Sequence, residues 1–308
     1  MENSENSLVK GYYHICSPGN EGRNFIKSTN DLFAAFNLVG VCAAESMDDV
    51  LILSFSIEDT HPHILAYGTK RSCEQLARNY ERRYLRHVVS TRGDSDGVSV
   101  ELEAIPVTDI DYQMSVGAYT IIQPTKDGKR VMPYDYRFGT GSMYFRSPYH
   151  IPIWFVSDMG EVCQPQRIGN LSKKQRNKLL FCKNETVPDN WLVCNGFLLP
   201  SNYIHVDLFE AIYKTHNCFR AFCSMSNKQI QELLARIAEY RGITLEDFEA
   251  RNLCDRYCRE MFGTADVRKL NSRQRLTLAQ TLRRQHRISF RQLSTIVRLP
   301  VIEIKSYC

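Results

Sequence analysis

Residues 50–68 read Val50-Leu-Ile-Leu-Ser-Phe-Ser-Ile-Glu-Asp-Thr-His61-Pro-His63-Ile-Leu-Ala-Tyr-Gly68. The mostly apolar run from Val50 to Ser56 predicts one β-strand, and Thr60 to Tyr67, closed by Gly68, predicts a second. Working outward, Gly11 to Ile15 predicts a short strand and Ser17-Pro-Gly-Asn a turn. Thr29-Asn-Asp can cap a helix running to about Ser46, with Leu32, Phe33, Phe36 and Val39 on one stripe. On the other side, Arg71 to about Thr91 has helical period and carries Arg78, Arg82, Arg83 and Arg86. Arg92-Gly-Asp-Ser-Asp-Gly is a loop, and Val98 to Val107 alternates as a strand. Asp109 to Ile122 predicts a helix whose acidic start suits the helix dipole and which Pro124 stops. The order β-α-β-β-α-β-α predicts an α+β domain, an antiparallel sheet with helices on one face.

The rest of the chain divides differently. Tyr134 to Trp154 is rich in Gly, Tyr and Pro and reads as a linker or an irregular cap. Ser172 to Leu180 predicts a short basic helix. From about Asn202 the pattern is all-helical, most firmly over Gln229–Tyr240 and Thr244–Phe262. Three helical pieces end the chain, Asn271–Gln285, Ser289–Val297 and Pro300–Tyr307. The expected organisation is 1–146 as one domain, 147–262 as a middle region of unknown role, and 263–308 as a helical tail.

Composition sets outer limits. With 43% apolar and 24% charged residues the chain has the balance of a soluble globular protein. The net charge of +5 does not by itself indicate nucleic acid, but the distribution does. From Thr264 onward there are ten Lys/Arg against Asp266 and Glu303, a concentration of positive charge suited to phosphate, or to a solvated helix face. The first residues are polar and acidic, with no signal-peptide pattern, and no run of about 18 apolar residues exists. A cytoplasmic protein with no membrane partner is expected. Its eleven cysteines then read as thiols. There is no C-x-x-C pair, and His216, Cys218 and Cys223, like Cys254 and Cys258, read as packing rather than as zinc ligands.

The chemistry rests on two pairs. Alternate residues of a strand share a face, so His61 and His63 project together and can chelate one divalent ion. Such a triplet alone is more often a surface pair. Tyr119 and Gln123 lie four apart on the helix, which presents a phenol and an amide oxygen side by side. Oxygen and imidazole ligands together suit Mg or Mn with positions open for a phosphate. A phenol of pKa about 10 needs such help to act as a nucleophile at pH 7. Once bonded to phosphorus it conserves the bond energy, so a strand can be rejoined without ATP.

In order along the chain, Gly11-Tyr-Tyr-His-Ile-Cys, Gly19-Asn-Glu-Gly-Arg-Asn-Phe-Ile, Ser54-Phe-Ser-Ile-Glu-Asp-Thr-His-Pro-His-Ile-Leu, Arg82-Arg-Tyr-Leu-Arg-His-Val, Ile105-Pro-Val-Thr-Asp and Ala118-Tyr-Thr-Ile-Ile-Gln-Pro form a collinear set. Over residues 8 to 146 it resembles the single-tyrosine HUH transposases, especially those associated with repeated extragenic palindromes. The resemblance implies the HUH endonuclease fold, a ferredoxin-like or RRM-like sheet. It implies His61, His63 and Gln123 as ligands of Mg or Mn and Tyr119 as nucleophile. It further implies single-stranded DNA near a hairpin or palindromic repeat as substrate, a 5′-phosphotyrosine intermediate, and a monomer or homodimer. Three departures stand out. Pro62 replaces the usual bulky residue between the histidines, Glu101 and Glu103 stand where the family is basic, and Gln-Pro-Thr-Lys replaces Asn-Pro-Val-Arg. A domesticated, non-catalytic DNA-binding descendant is the alternative.

Near the C-terminus, Ser289 to Lys305 resembles a helix-turn-helix with Leu293, Val297, Val301 and Ile304 as its small core and Pro300 at the first turn of the last helix. Arg283, Arg284, Arg287 and Lys305 are its candidate DNA contacts, as are Arg78, Arg82, Arg83 and Arg86 in the first domain. A plain three-helix bundle fits the same pattern.

Overall fold

Consecutive residues of a strand face opposite ways, and in this chain that alternation separates a packing face from a polar one. Strands β1 (Lys10–Cys16), β2 (Val50–Ile57), β3 (Pro62–Thr69) and β4 (Glu103–Val107) form an antiparallel sheet in the order β2-β3-β1-β4. Helices α1 (Thr29–Ser46), α2 (Lys70–Arg92) and α3 (Ile110–Lys126) connect or follow them, giving the element order expected from the sequence. The structure, a computed structural model, describes residues 9–17, 25–94, 98, 100–126, 131–147, 149–183, 186–225, 228–233, 235 and 245–308. The expected turn at 17–20, the motif at 19–26, the loop at 92–97 and the helix at 229–240 lie partly outside these residues. The expected strand from Val98 is shorter, beginning only at Glu103.

The register fixes the two faces. Tyr13 pairs with Ala66, Ile15 with Ile64, and Ile64 with Phe55, so these share one face. Phe36 of α1 packs on Phe55 with ring centroids 5.1 Å apart, and Cys73 and Glu74 of α2 lie by Tyr13. His14 pairs with Leu65, and His63 lies opposite Ser56, on the other face. A Cβ on Gly117 of α3 would sit 3.5 Å from Leu65, so α3 covers this second face. The expectation of helices on one face is thereby corrected: α1 and α2 take one side and α3 the other. The physical reason is that α3 is buried continuously from Val116 to Pro124, which a helix on an open flank would not be.

The prolines fit their positions. Pro62 is the first residue of β3 and pairs only with β2, because the β1 ladder ends at Ile64. A missing N–H there costs the sheet little. Pro106 sits in β4, an edge strand. The sequence predicts that Pro124 stops α3, but it lies inside the helix. Its missing N–H removes one helical hydrogen bond, while its fixed φ is helical. Ser28 caps α1 by accepting from the Asp31 N–H, while the Asp31 carboxylate accepts from the Lys27 N–H.

Residues beyond 131 wrap this sheet. Phe138, Thr140 and Tyr144 bond the backbone of β2, and Ile204 bridges to Ile52, so the outer edge of β2 is covered. Helix α4 (Lys173–Leu180) and a small sheet of β5 (Gln166–Arg167), β6 (Leu192–Cys194) and β7 (Phe197–Leu198) pack beside α1. Buried Asn37 of α1 ties them in, donating to the Leu179 and Gly196 carbonyls and accepting from the Leu198 N–H. Helices α5 (Val206–Tyr213) and α6 (His216–Cys223) back α3, with the Tyr213 hydroxyl donating to the Met114 carbonyl at 2.6 Å. The chain divides into two compact units, Ser4–Leu233 and Leu234–Cys308, so residues 147–233 belong with the sheet.

The second unit contains helices α7 (Asp247–Phe262), α8 (Ser272–His286), α9 (Phe290–Val297) and α10 (Val301–Tyr307). Leu278, Leu282, Leu293, Val297 and Ile304 form its core, with Cys254 and Cys258 buried among them as thiols. Val301 is only partly buried at its margin. The turn between α9 and α10 is made by Arg298 in the left-handed region, followed by Leu299 and Pro300.

Candidate metal and nucleophile site

The face of the sheet beneath α3 is polar as well as buried. His61 precedes β3 by one residue and His63 is its second residue, and the alternation sets their rings 4.5 Å apart. His14 of β1 stacks on His63 at 5.3 Å. Tyr119 of α3 stands perpendicular to His63 with centroids 5.4 Å apart, and edge-on to His14 at 6.4 Å. Gln123 lies one helical turn beyond Tyr119 and is also buried. The structure therefore brings together His61, His63 and Tyr119, and places Gln123 on the same helix.

Each imidazole is held from one edge. The His61 Nδ1 meets Thr60 Oγ1 at 2.9 Å, and the His63 Nδ1 meets His14 Nε2 at 3.1 Å. The His63 Nε2 is buried and has no hydrogen-bond partner among the described residues. The hydroxyls of Ser54 and Ser56, on the same face, are likewise buried without partners. Burial holds the His61 side chain down at about 4, and burial together with the neighbouring His61 and His14 holds His63 well below the ordinary imidazole value. His14 is lowered to about 3 by burial and by the neighbouring His61. All three are neutral near pH 7, the state in which imidazole binds metal. A buried, unpartnered imidazole nitrogen beside a second imidazole is the donor set a divalent cation fits.

A competing set shares His63. One ligand atom each of His14, Cys16 and His63 lie within 4.8 Å of one another. However, Cys16 Sγ meets the Nδ1 edge of His14 at 3.7 Å while His63 meets its Nε2 edge. The three form a chain through the His14 ring, and burial pushes the Cys16 thiol up.

Within the first unit the arginines lie away from this face. Arg78, Arg82 and Arg86 line a shallow groove on α2 with Leu85 and Val89, on the opposite side of the sheet from Tyr119. Arg83 is turned to α1, where it pairs with Glu45. Arg284 and Arg287 are exposed on the helical unit. Arg283 lies over the Phe290 ring at 4.2 Å and donates to the Ile288 carbonyl, and Lys305 flanks the same ring. The Phe138 ring packs on Phe36 of α1, and the Tyr144 hydroxyl donates to the Leu53 carbonyl of β2.

Two residues were not singled out in the sequence. His14 could have been found from strand alternation once β1 was paired with β3. Glu58 is fully buried in the connection that carries His61, and its N–H donates to the His61 carbonyl at 3.1 Å. A carboxylate in a strand connection has no local signature of burial. No family model, no curated protein and no solved structure matches the chain. No described helix is long and apolar enough to cross a membrane.

Proposed function

We propose that this chain is a metal-dependent single-tyrosine DNA strand transferase of the HUH type, with a helix-turn-helix in its C-terminal unit. The observation that carries the reading is the grouping of His61 and His63, each with Nδ1 engaged, beside a perpendicular Tyr119 ring at 5.4 Å. Mg or Mn held by His61, His63 and Gln123 would polarise a phosphate oxygen and stabilise charge in the transition state. The Tyr119 oxygen attacks phosphorus and the P–O3′ bond breaks. The phenolic proton passes to solvent, and the departing 3′ oxygen takes up a proton. A later 3′ hydroxyl reverses these bonds and joins the strands. Arg78, Arg82 and Arg86, with Arg284 and Arg287 on the other unit, supply phosphate contacts. The substrate is single-stranded DNA near a hairpin or palindromic repeat.

One observation favours a second reading. Tyr119 is only 4% exposed, so a strand reaches its hydroxyl only when the cover over it moves. A descendant that binds DNA without cutting it would need no such opening. The two are separated by incubating the protein with labelled single-stranded hairpin DNA and Mn and resolving the products on a denaturing gel. A covalent adduct that is absent in Tyr119→Phe supports strand transfer. DNA binding without adduct across many hairpins overturns it in favour of the non-catalytic reading.

A further inference from the structure

We propose that His14 is a positioning residue that fixes the tautomer of His63 and so presents the His63 Nε2 lone pair to the metal. The inference rests on the metal reading above and deepens it. A neutral imidazole carries one proton, on Nδ1 or on Nε2, and only the nitrogen without it can bind a cation. The short contact between His14 Nε2 and His63 Nδ1, 3.1 Å, requires that one of the two carry a proton and the other accept it. If the proton is on His63 Nδ1, His14 accepts, and His63 Nε2 is left as a lone pair. The His14 proton then lies on its own Nδ1, where Cys16 Sγ stands at 3.7 Å as a weak acceptor. If the direction is reversed, the His63 proton lies on Nε2, a buried atom with no acceptor among the described residues. Cys16, His14 and His63 are then links of one chain ending at the metal-facing nitrogen. The outer partner of a metal-binding histidine has this role generally.

The backbone makes the arrangement rigid. His14 pairs with Leu65 across the ladder, and His63 lies two residues along the same face of β3. Both rings are fully or nearly fully buried, His14 at 0% and His63 at 3% exposure, so neither is open to bulk solvent.

The test uses the full chain, with Mn binding followed by electron paramagnetic resonance and the His63 tautomer read by long-range proton–nitrogen NMR without metal. His14→Gln keeps an acceptor oxygen as many bonds from the backbone as Nε2, whereas His14→Leu removes it. Wild type is expected to show the Nδ1–H tautomer at His63. His14→Gln should retain the tautomer and most of the Mn affinity, and His14→Leu should weaken Mn binding about 10–100-fold. An Nε2–H tautomer at His63 in the wild type overturns the inference even if His14→Leu fails to fold. Equal Mn affinity in wild type and His14→Leu also overturns it, while leaving the metal reading intact. A wild type that binds no Mn overturns both. Co substitution giving a thiolate charge-transfer band that Cys16→Ser abolishes overturns it too, because Cys16 would then be a ligand.

Discussion

The ring of Tyr119 meets His63 edge to face, at 90° and 5.4 Å between centroids. The contact is made by the ring and does not need the hydroxyl. Tyr119→Phe is therefore expected to keep the fold, with a melting temperature within a few degrees of wild type, while covalent DNA adduct falls to background. Thermal denaturation alongside the denaturing gel checks both. A large loss of stability would assign Tyr119 to the core alone.

Gly117 of α3 faces Phe209 and Tyr213 of α5. An added Cβ would lie 2.5 Å from the Tyr213 hydroxyl and 3.3 Å from Phe209. In an open helix Gly→Ala stabilises by about 1 kcal/mol. Here overpacking wins, and Gly117→Ala is expected to destabilise by about 1–3 kcal/mol. Removing the hydroxyl with Tyr213→Phe should recover part of that loss, which a double-mutant cycle in urea measures.

Asn37 makes three hydrogen bonds of 2.8–2.9 Å from the middle of α1 to α4 and the β6–β7 hairpin. Asn37→Leu leaves the buried Leu198 N–H unmatched and removes the donor to the Leu179 and Gly196 carbonyls. The expected loss is about 2–4 kcal/mol, from unsatisfied groups at about 1–3 kcal/mol each with partial relaxation. Urea unfolding gives the value, and a neutral result would show that water replaces the amide.

Asp31 accepts from His87 at 2.9 Å and Arg92 at 2.8 Å, joining α1 to the end of α2. Burial alone raises its carboxyl, but the bonds from His87, Arg92 and the Lys27 N–H outweigh it and hold the group below the usual carboxylate value. The unfolded carboxyl titrates at about 3.9, so this stabilisation is complete above that pH and is lost as pH falls through the lower folded value. Wild type should therefore lose stability on acidification below about pH 4. Asp31→Asn should cost about 2–4 kcal/mol at pH 7, since it leaves the half-buried Arg92 guanidinium without its carboxylate, and should show a shallower acid slope. Urea midpoints from pH 7 to pH 2 test the sign.

Much of the molecule follows from local pattern. Period-two and period-3.6 patterning places the first seven elements and their order, because each buries one face of a regular structure. The same patterning places the last three helices, whose capping residues Asn271 and Ser289 are local signals. Spacing alone pairs His61 with His63 and Tyr119 with Gln123. Tertiary structure decided the rest. Which side of the sheet α3 covers depends on register and on α5 and α6 behind it, not on the residues of α3 alone. Pro62 reads as a broken ladder in sequence and is harmless because β1 ends before reaching it. Arg83 reads like Arg82 and Arg86, yet Glu45, 38 residues away, claims it. In sequence Tyr119 is a residue four positions before a glutamine, and its place beside His63 and His14 exists only because three separate elements meet on one face. Side-chain chemistry and period are properties of neighbours in sequence, whereas burial, register and the edge at which an imidazole is held are properties of neighbours in space.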